Sequence, residues 1–293
     1  MNKKKQKGLI NNLNIFLLLL LLSAGIFSCS STKVADRQEG SFSVKHEEAF
    51  SDLYPENPLW QKIQEGFEVL EWKMDSIKVS WHCIKIDLNQ PGLKIISLPE
   101  EKNLGKNFRL KKFARKNNTV IAFNTSPFDI KKTDYPVGIT KIDGKIITAP
   151  VEKYAALCFY KNNQGFFRAC ILDSQKEDEL EKYDYAYGGF YTILRDEKIY
   201  DFKQIKRSRT GCGLNEDGSQ LYILVACPLF SLRDHNGLTY PECAEILKYL
   251  GCKTAMQFDG GHSSGLCIYN QNAEAPFLQR KVPTAMGFTI TSN

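Results

Sequence analysis

Beyond residue 79 the chain is a succession of short apolar runs separated by turn residues, and this pattern commits it to a strand-rich fold. "SWHCIKIDL" puts His82, Ile84, Ile86 and Leu88 on one face at period two, which reads as a strand, with "GLKIISL" after "NQP" as its partner. "TVIAFN" reads as a buried strand entering the loop "TSPFD", and "PVGITKIDGKIITAP" as strand, Asp-Gly turn, strand. Further strands are expected at "AALCFY", "FFRACIL", "GGFYTIL", "RTGCGLN", "LYILVAC", "GLCIYN" and "MGFTIT".

Helical patterns are few. "NFRLKKFARKNN" predicts a short helix. "TYPECAEILKYLG" is better signed: Thr239 is the N-cap with Glu242 three residues on, Pro241 falls in the first turn, and Gly251 closes the helix. That helix delivers the chain into "KTAMQFDGG", a short strand carrying Asp259 out at its end. With no regular βαβ alternation and no internal repeat, the expected class is α+β: one strand-rich domain with mixed twisted sheets and a few packed helices.

The N-terminal part is of another kind. Four lysines within residues 3–7, the run "LNIFLLLLLLSAGIF" and then "SCSS" read as a secretory signal, too short for a membrane span. Ile26, Phe27 and Ser28 before Cys29 resemble a bacterial lipobox, which makes Cys29 the expected lipidated first residue of the mature chain. An ordinary cleaved signal or an uncleaved anchor are the other readings. The expected organisation is a lipoprotein signal over 1–28, a polar tether over 29–55 that includes His46 and Glu47, and a domain over 56–293 anchored in the cell envelope. The net charge is +6, and removing the four signal lysines leaves about +2, so neither charge nor motif points to nucleic acid.

Besides Cys29 there are eight cysteines, none in a CxxC pair, which weakens a zinc or thioredoxin-like reading. Cys158 and Cys170 flank an expected hairpin and can face each other across it. Most of the others lie in apolar runs and read as buried thiols.

The remaining polar signals gather late in the chain. "RSRTGCGLNEDGSQLYILVA" followed by "GLTYPECAEILKYLGCKTAMQFDGGHSSG" resembles the phosphodiester glycosidase family: an Arg-Thr with nearby glycine, a strand, a helix opened by Thr-x-x-Glu, then Asp-Gly-Gly and serines. "VIAFNTSPF" stands where the family has a strand followed by Asn-Gly-Gly and an aromatic, and "YGGFYTILRDEKI" resembles its glycine-rich strand. Here Thr125 and Ser126 replace two glycines, and His262 replaces a third. The resemblance implies a hydrolase that releases a sugar from a sugar phosphodiester on an exported glycan or envelope polymer. It names no cofactor and leaves a divalent metal open. A non-catalytic glycan-binding or polysaccharide-assembly lipoprotein is the alternative. A nuclease or lipid phosphodiesterase finds less support, because no paired-metal His/Asp cluster is visible.

The chemistry can be assigned residue by residue. Arg209, beside Thr210, matches a phosphodiester's paired oxygens with a planar fork, and Arg207 is its competitor. Asp259 alone would be a turn carboxylate; next to a bound phosphate it becomes an acid or base, with Gly260 and Gly261 letting the backbone approach a ligand. Ser263 and Ser264 can donate to phosphate oxygens, His262 can donate or titrate, and Asn124 can contact sugar hydroxyls or orient Asp259. Glu242 is expected to serve the helix cap and His82 to pack on its strand.

Overall fold

The structure, a computed structural model, describes residues 52–129, 134–202, 204–229, 236–268, 273–275 and 280–291, the backbone alone for 273–275. Cys29, His46 and Glu47 lie outside the described residues.

Three sheets organise the described chain. The large sheet has eight strands in the order Gln61–Gln64, Phe67–Met74, Val79–Asp87, Gln220–Pro228, Arg209–Leu214, Thr254–Gln257, Thr192–Arg195 and Lys198–Ile199. A second, five-stranded sheet runs Lys145–Thr148, Thr140–Ile142, Tyr185–Gly188, Ala156–Lys161, Phe167–Leu172. The third runs Ala273–Ala275, Leu266–Ile268, Ile121–Asn124, Ala285–Ile290, Leu93–Leu98. Helices are confined to Leu110–Asn117, Glu177–Leu180 and Tyr240–Tyr249 among the described residues.

The expected mixed sheets are instead antiparallel in every described ladder, and the domain is mostly β. A parallel neighbour needs a long crossover, whereas many of these strands are joined by short turns. Asp143 and Gly144, with φ of 49° and 78°, close one of them as the Asp-Gly pattern predicts. The helix Tyr240–Tyr249 does cross over. It carries the chain past Arg209–Leu214, so Thr254–Gln257 lands on that strand's far side, antiparallel to it.

A second correction concerns Leu93–Leu98. It does not pair with Val79–Asp87, whose edges are already taken by Phe67–Met74 and Gln220–Pro228. A turn at Gln90–Leu93 sends it to the third sheet, beside Ala285–Ile290.

The inner faces of the three sheets meet in one core that includes Phe67, Ile84, Phe123, Phe159, Met256 and Phe288. On the other face of the large sheet, Cys243, Ile246 and Leu247 of the late helix cover Trp81, Cys83 and Leu224. That helix has the full capping box: Thr239 Oγ1 accepts from Glu242 N–H (3.2 Å) and Glu242 Oε2 accepts from Thr239 N–H (2.6 Å). Glu242 thus serves the cap, as expected, and Gly251 ends the helix at φ 99°. Residues 52–54, read as the end of a tether, belong to this layer. Leu53 is buried, its carbonyl accepts from Trp81 Nε1 (2.9 Å), and Tyr54 stacks on Tyr249. Two apolar side chains with somewhere to bury outweigh the polar composition of the segment before them.

His82 is half-buried against Glu71 across the strand pair. Cys158 and Cys170 stand directly opposite in the hairpin Ala156–Leu172, and no disulfide joins the described cysteines.

Candidate active site

The site lies where the large sheet meets the third, and Asn124 is its joint. The last residue of Ile121–Asn124, Asn124 is 1% exposed and makes three hydrogen bonds with its amide. Its Nδ2 donates to the Asp259 carbonyl (2.8 Å), while its Oδ1 accepts from Thr210 Oγ1 (2.8 Å) and Gly265 N–H (3.0 Å). Thr210 and the approach to Asp259 belong to the large sheet; Asn124 belongs to the third, and Gly265 leads into its strand Leu266–Ile268. Thr125 O accepts from Asp259 N–H (2.9 Å) and closes the joint. The structure therefore brings Asn124, Thr210 and Asp259 together, with Asn124 orienting the Asp259 backbone and Thr210 standing behind it.

After Asp259 the chain makes a single 3-10 turn over Gly261–Ser263. The glycines are needed for different reasons. A Cβ on Gly260 would come within 2.9 Å of the Ser208 carbonyl. Gly261 has φ 62°, with open space in front of it. Ser263 is buried, and its Oγ accepts from Arg280 Nε (2.9 Å) and Nη2 (2.6 Å). Arg280 Nη2 stands 3.8 Å from Asp259 Oδ2, and its guanidinium lies over the Phe128 ring. His262 is exposed at the rim; its carbonyl accepts from Arg280 N–H (3.1 Å).

Burial pushes the Asp259 carboxyl up from 3.8 to about 6, against the opposing pull of the Ser263 hydroxyl, the Arg280 charge and the Gly260 N–H. Its Oδ2 has no hydrogen-bond partner, and neither do the buried hydroxyls of Thr125, Ser126 and Ser264. Buried polar atoms without partners are uncommon, and several in adjoining loops mark a place shaped for a polar ligand or for water.

Arg209 is placed differently from the expected outward fork. It is 9% exposed, donates Nε to the Leu238 carbonyl (2.7 Å) and Nη2 to the Ile205 carbonyl, and stacks on Tyr240. One edge of the guanidinium thus ties two loops together, and Nη1 is left next to Gly260. Arg209→Lys keeps the charge but breaks this tie. We expect a stability loss of about 2 kcal/mol in chemical denaturation, together with weakened activity. A residue serving as phosphate ligand alone would change ligand affinity without moving the unfolding midpoint.

The sequence reading missed Arg280. It stands in the polar stretch before the last strand, and no local motif signals it. The pairing of Phe108 with Val282, two residues on, holds its backbone in place. Among the described residues no group of three or more His, Cys, Asp or Glu converges as a metal site.

A nearly buried carboxylate with a guanidinium and hydroxyls at its edge makes a polar centre at the junction of the two sheets. The fold places that centre in known company. The chain belongs to the phosphodiester glycosidase family, whose sequence model matches residues 117–289. Among solved structures it resembles the catalytic domain of zebrafish N-acetylglucosamine-1-phosphodiester α-N-acetylglucosaminidase, auto-inhibited by its pro-peptide: TM-score 0.59, 16% identity, 81% of this chain and 88% of that one. A hypothetical protein from Synechocystis is similar at TM-score 0.63 and 12% identity over 80% of this chain, which spans only 64% of that protein. At these identities the likeness is one of fold. No curated protein sequence matches the chain.

Proposed function

We propose that the protein is a hydrolase that releases a sugar from a sugar phosphodiester, with Asp259 as general base and Arg280 as the cation beside the phosphate. The carrying observation is the nearly buried Asp259 carboxyl, pushed up to about 6, with Oδ2 accepting no hydrogen bond and facing Arg280 at 3.8 Å. Phosphate leaves an anomeric carbon with its own negative charge, so the attacking water needs help more than the leaving group does. Asp259 takes a proton from water as the oxygen bonds to the anomeric carbon. The carbon–oxygen bond to phosphate breaks with its electron pair on phosphate, next to Arg280. The products are the free sugar and a phosphomonoester, and Asp259 returns its proton to solvent. Ser264, Thr125 and Ser126 supply hydroxyls toward the ligand, Gly261 lets it approach while Gly260 keeps the turn packed against Ser208, and His262 borders the entrance. Arg209 holds the surrounding loops and offers Nη1.

The test is turnover of aryl and sugar phosphodiesters by the detergent-solubilised full chain across pH 4–9. A base of this kind is active when ionised, so kcat/KM rises with pH to a plateau above about 6. A profile that falls above pH 6 would reassign Asp259 as a general acid. Glycan binding without turnover at any pH supports the non-catalytic alternative.

We further propose envelope anchoring through a lipidated Cys29, on the basic start and apolar run that precede it. Mass spectrometry of membrane-extracted protein should find an acylated peptide beginning at Cys29; an unmodified internal peptide spanning it refutes the anchor.

A further inference from the structure

The helix Leu110–Asn117 has an outer face for which neither the core nor the site accounts. Leu110, Phe113 and Ala114 are buried against the third sheet. Arg109, Lys111, Lys112, Arg115 and Lys116 are exposed and spread over the whole solvent half, with no acid in the first turn. Placing like charges one turn apart, as at Lys111 and Arg115 or Lys112 and Lys116, works against the helix itself. Five cations on so short an element also stand out in a mature chain near +2, so the positive charge is concentrated here. Between this helix and the strand Leu93–Leu98 lies a cavity of about 190 Å³, with Lys112 and Lys116 in its wall beside Asn103, Phe108 and one acid, Glu100.

The topology connects this face to the site. The helix leads directly into Ile121–Asn124 and packs on that strand, so it runs back along it and its first residues lie toward the Asn124 end. Phe108, just before the helix, exchanges backbone hydrogen bonds with Val282 (both 2.9 Å). Arg280, two residues before Val282, reaches Asp259. Positive charge is thus laid out from Arg280 through Arg109 to Lys116, over about 12 Å of helix.

We infer that this face is a docking track for a polyanionic glycan bearing several phosphodiesters, one of which is presented to Asp259. The inference rests on the proposed activity and narrows its substrate class to a polymer. A single sugar phosphodiester has one charge and nothing to place on such a track. A membrane surface fits less well, because the apolar side of the helix is already spent on the core and none is left to insert between lipids.

The test compares full-length protein with Lys112→Ser/Arg115→Ser/Lys116→Ser, all three positions being exposed. The probes are poly(glycerol phosphate) of defined length, a small aryl phosphodiester, and vesicles of phosphatidylglycerol. We expect polymer affinity at low salt to fall at least about tenfold in the triple variant, and the salt slope of log Kd to shrink by about two, since each neutralised phosphate contributes somewhat under one. Turnover of the small diester should be unchanged, and Lys112→Arg/Lys116→Arg should bind the polymer like the parent. Equal polymer binding by parent and triple variant overturns the track, as does a loss seen with vesicles but not with polymer. If no phosphodiester is turned over yet polymer binding still depends on the helix, the hydrolase reading fails and the docking surface stands.

Discussion

Asp259→Asn is expected to lower kcat by about 10²–10⁴-fold while making the protein more stable at neutral pH. The rate loss is that of removing a general base whose shape and remaining hydrogen bonds persist. The stability gain follows from the raised carboxyl, at about 6 in the fold against 3.8 when unfolded. Such a group favours the folded state while protonated. As pH rises from about 4 to 6 the unfolded chain ionises while the fold still holds the proton, and the folded state loses about 3 kcal/mol relative to its low-pH value. Asparagine has no charge to bury, so the variant should exceed the parent by about 1–3 kcal/mol at pH 8, with the difference vanishing below pH 4. Thermal melting at pH 4 and pH 8, alongside turnover, measures both effects. A simple turn carboxylate predicts the reverse pattern, lower stability with activity intact, and that result would remove Asp259 from the chemistry.

Asn124→Ala is expected to cost more stability than any other single change at the site. It strands three buried groups at once: the Thr210 hydroxyl, the Gly265 N–H and the Asp259 carbonyl. Each unpartnered group costs about 1–3 kcal/mol, so the total is about 3–9 kcal/mol, or roughly 10 °C or more in Tm for a domain of this size. Activity should disappear even at temperatures where the variant is folded, because the peptide carrying Asp259 has lost its anchor. Thr210→Val removes one of the three bonds and should cost about 1 kcal/mol. A Tm for Asn124→Ala within a degree or two of the parent would show that the two sheets are held together elsewhere.

What could be read in the sequence was local. The Asp143–Gly144 hairpin turn and the Thr239–Glu242 capping box follow from side chains a few residues apart, and both stand as expected. The pairing of Cys158 with Cys170 followed from a short hairpin. Partner choice over long distances was not legible. Leu93–Leu98 has the right alternation for either sheet, and only the occupied edges of Val79–Asp87 send it away. Leu53 looks like part of a polar segment until Trp81 is there to receive it. At the site, the convergence of Asn124 and Asp259 was suggested by family resemblance, while Arg280 needed the Phe108–Val282 bridge to come into view. Arg209 was expected to aim its fork at a phosphate, and sequence could not say that carbonyls would occupy one edge of that fork.

The Asn124 joint also has a kinetic meaning. Its three hydrogen bonds join residues 86, 135 and 141 positions apart. No local nucleus can assemble such a centre, and topologies built from distant pairings fold slowly. A chain whose two sheets have formed but not docked has every residue of the site and no site. The site therefore exists only once the two sheets have docked, so assembling it reports on the whole fold rather than on any one part.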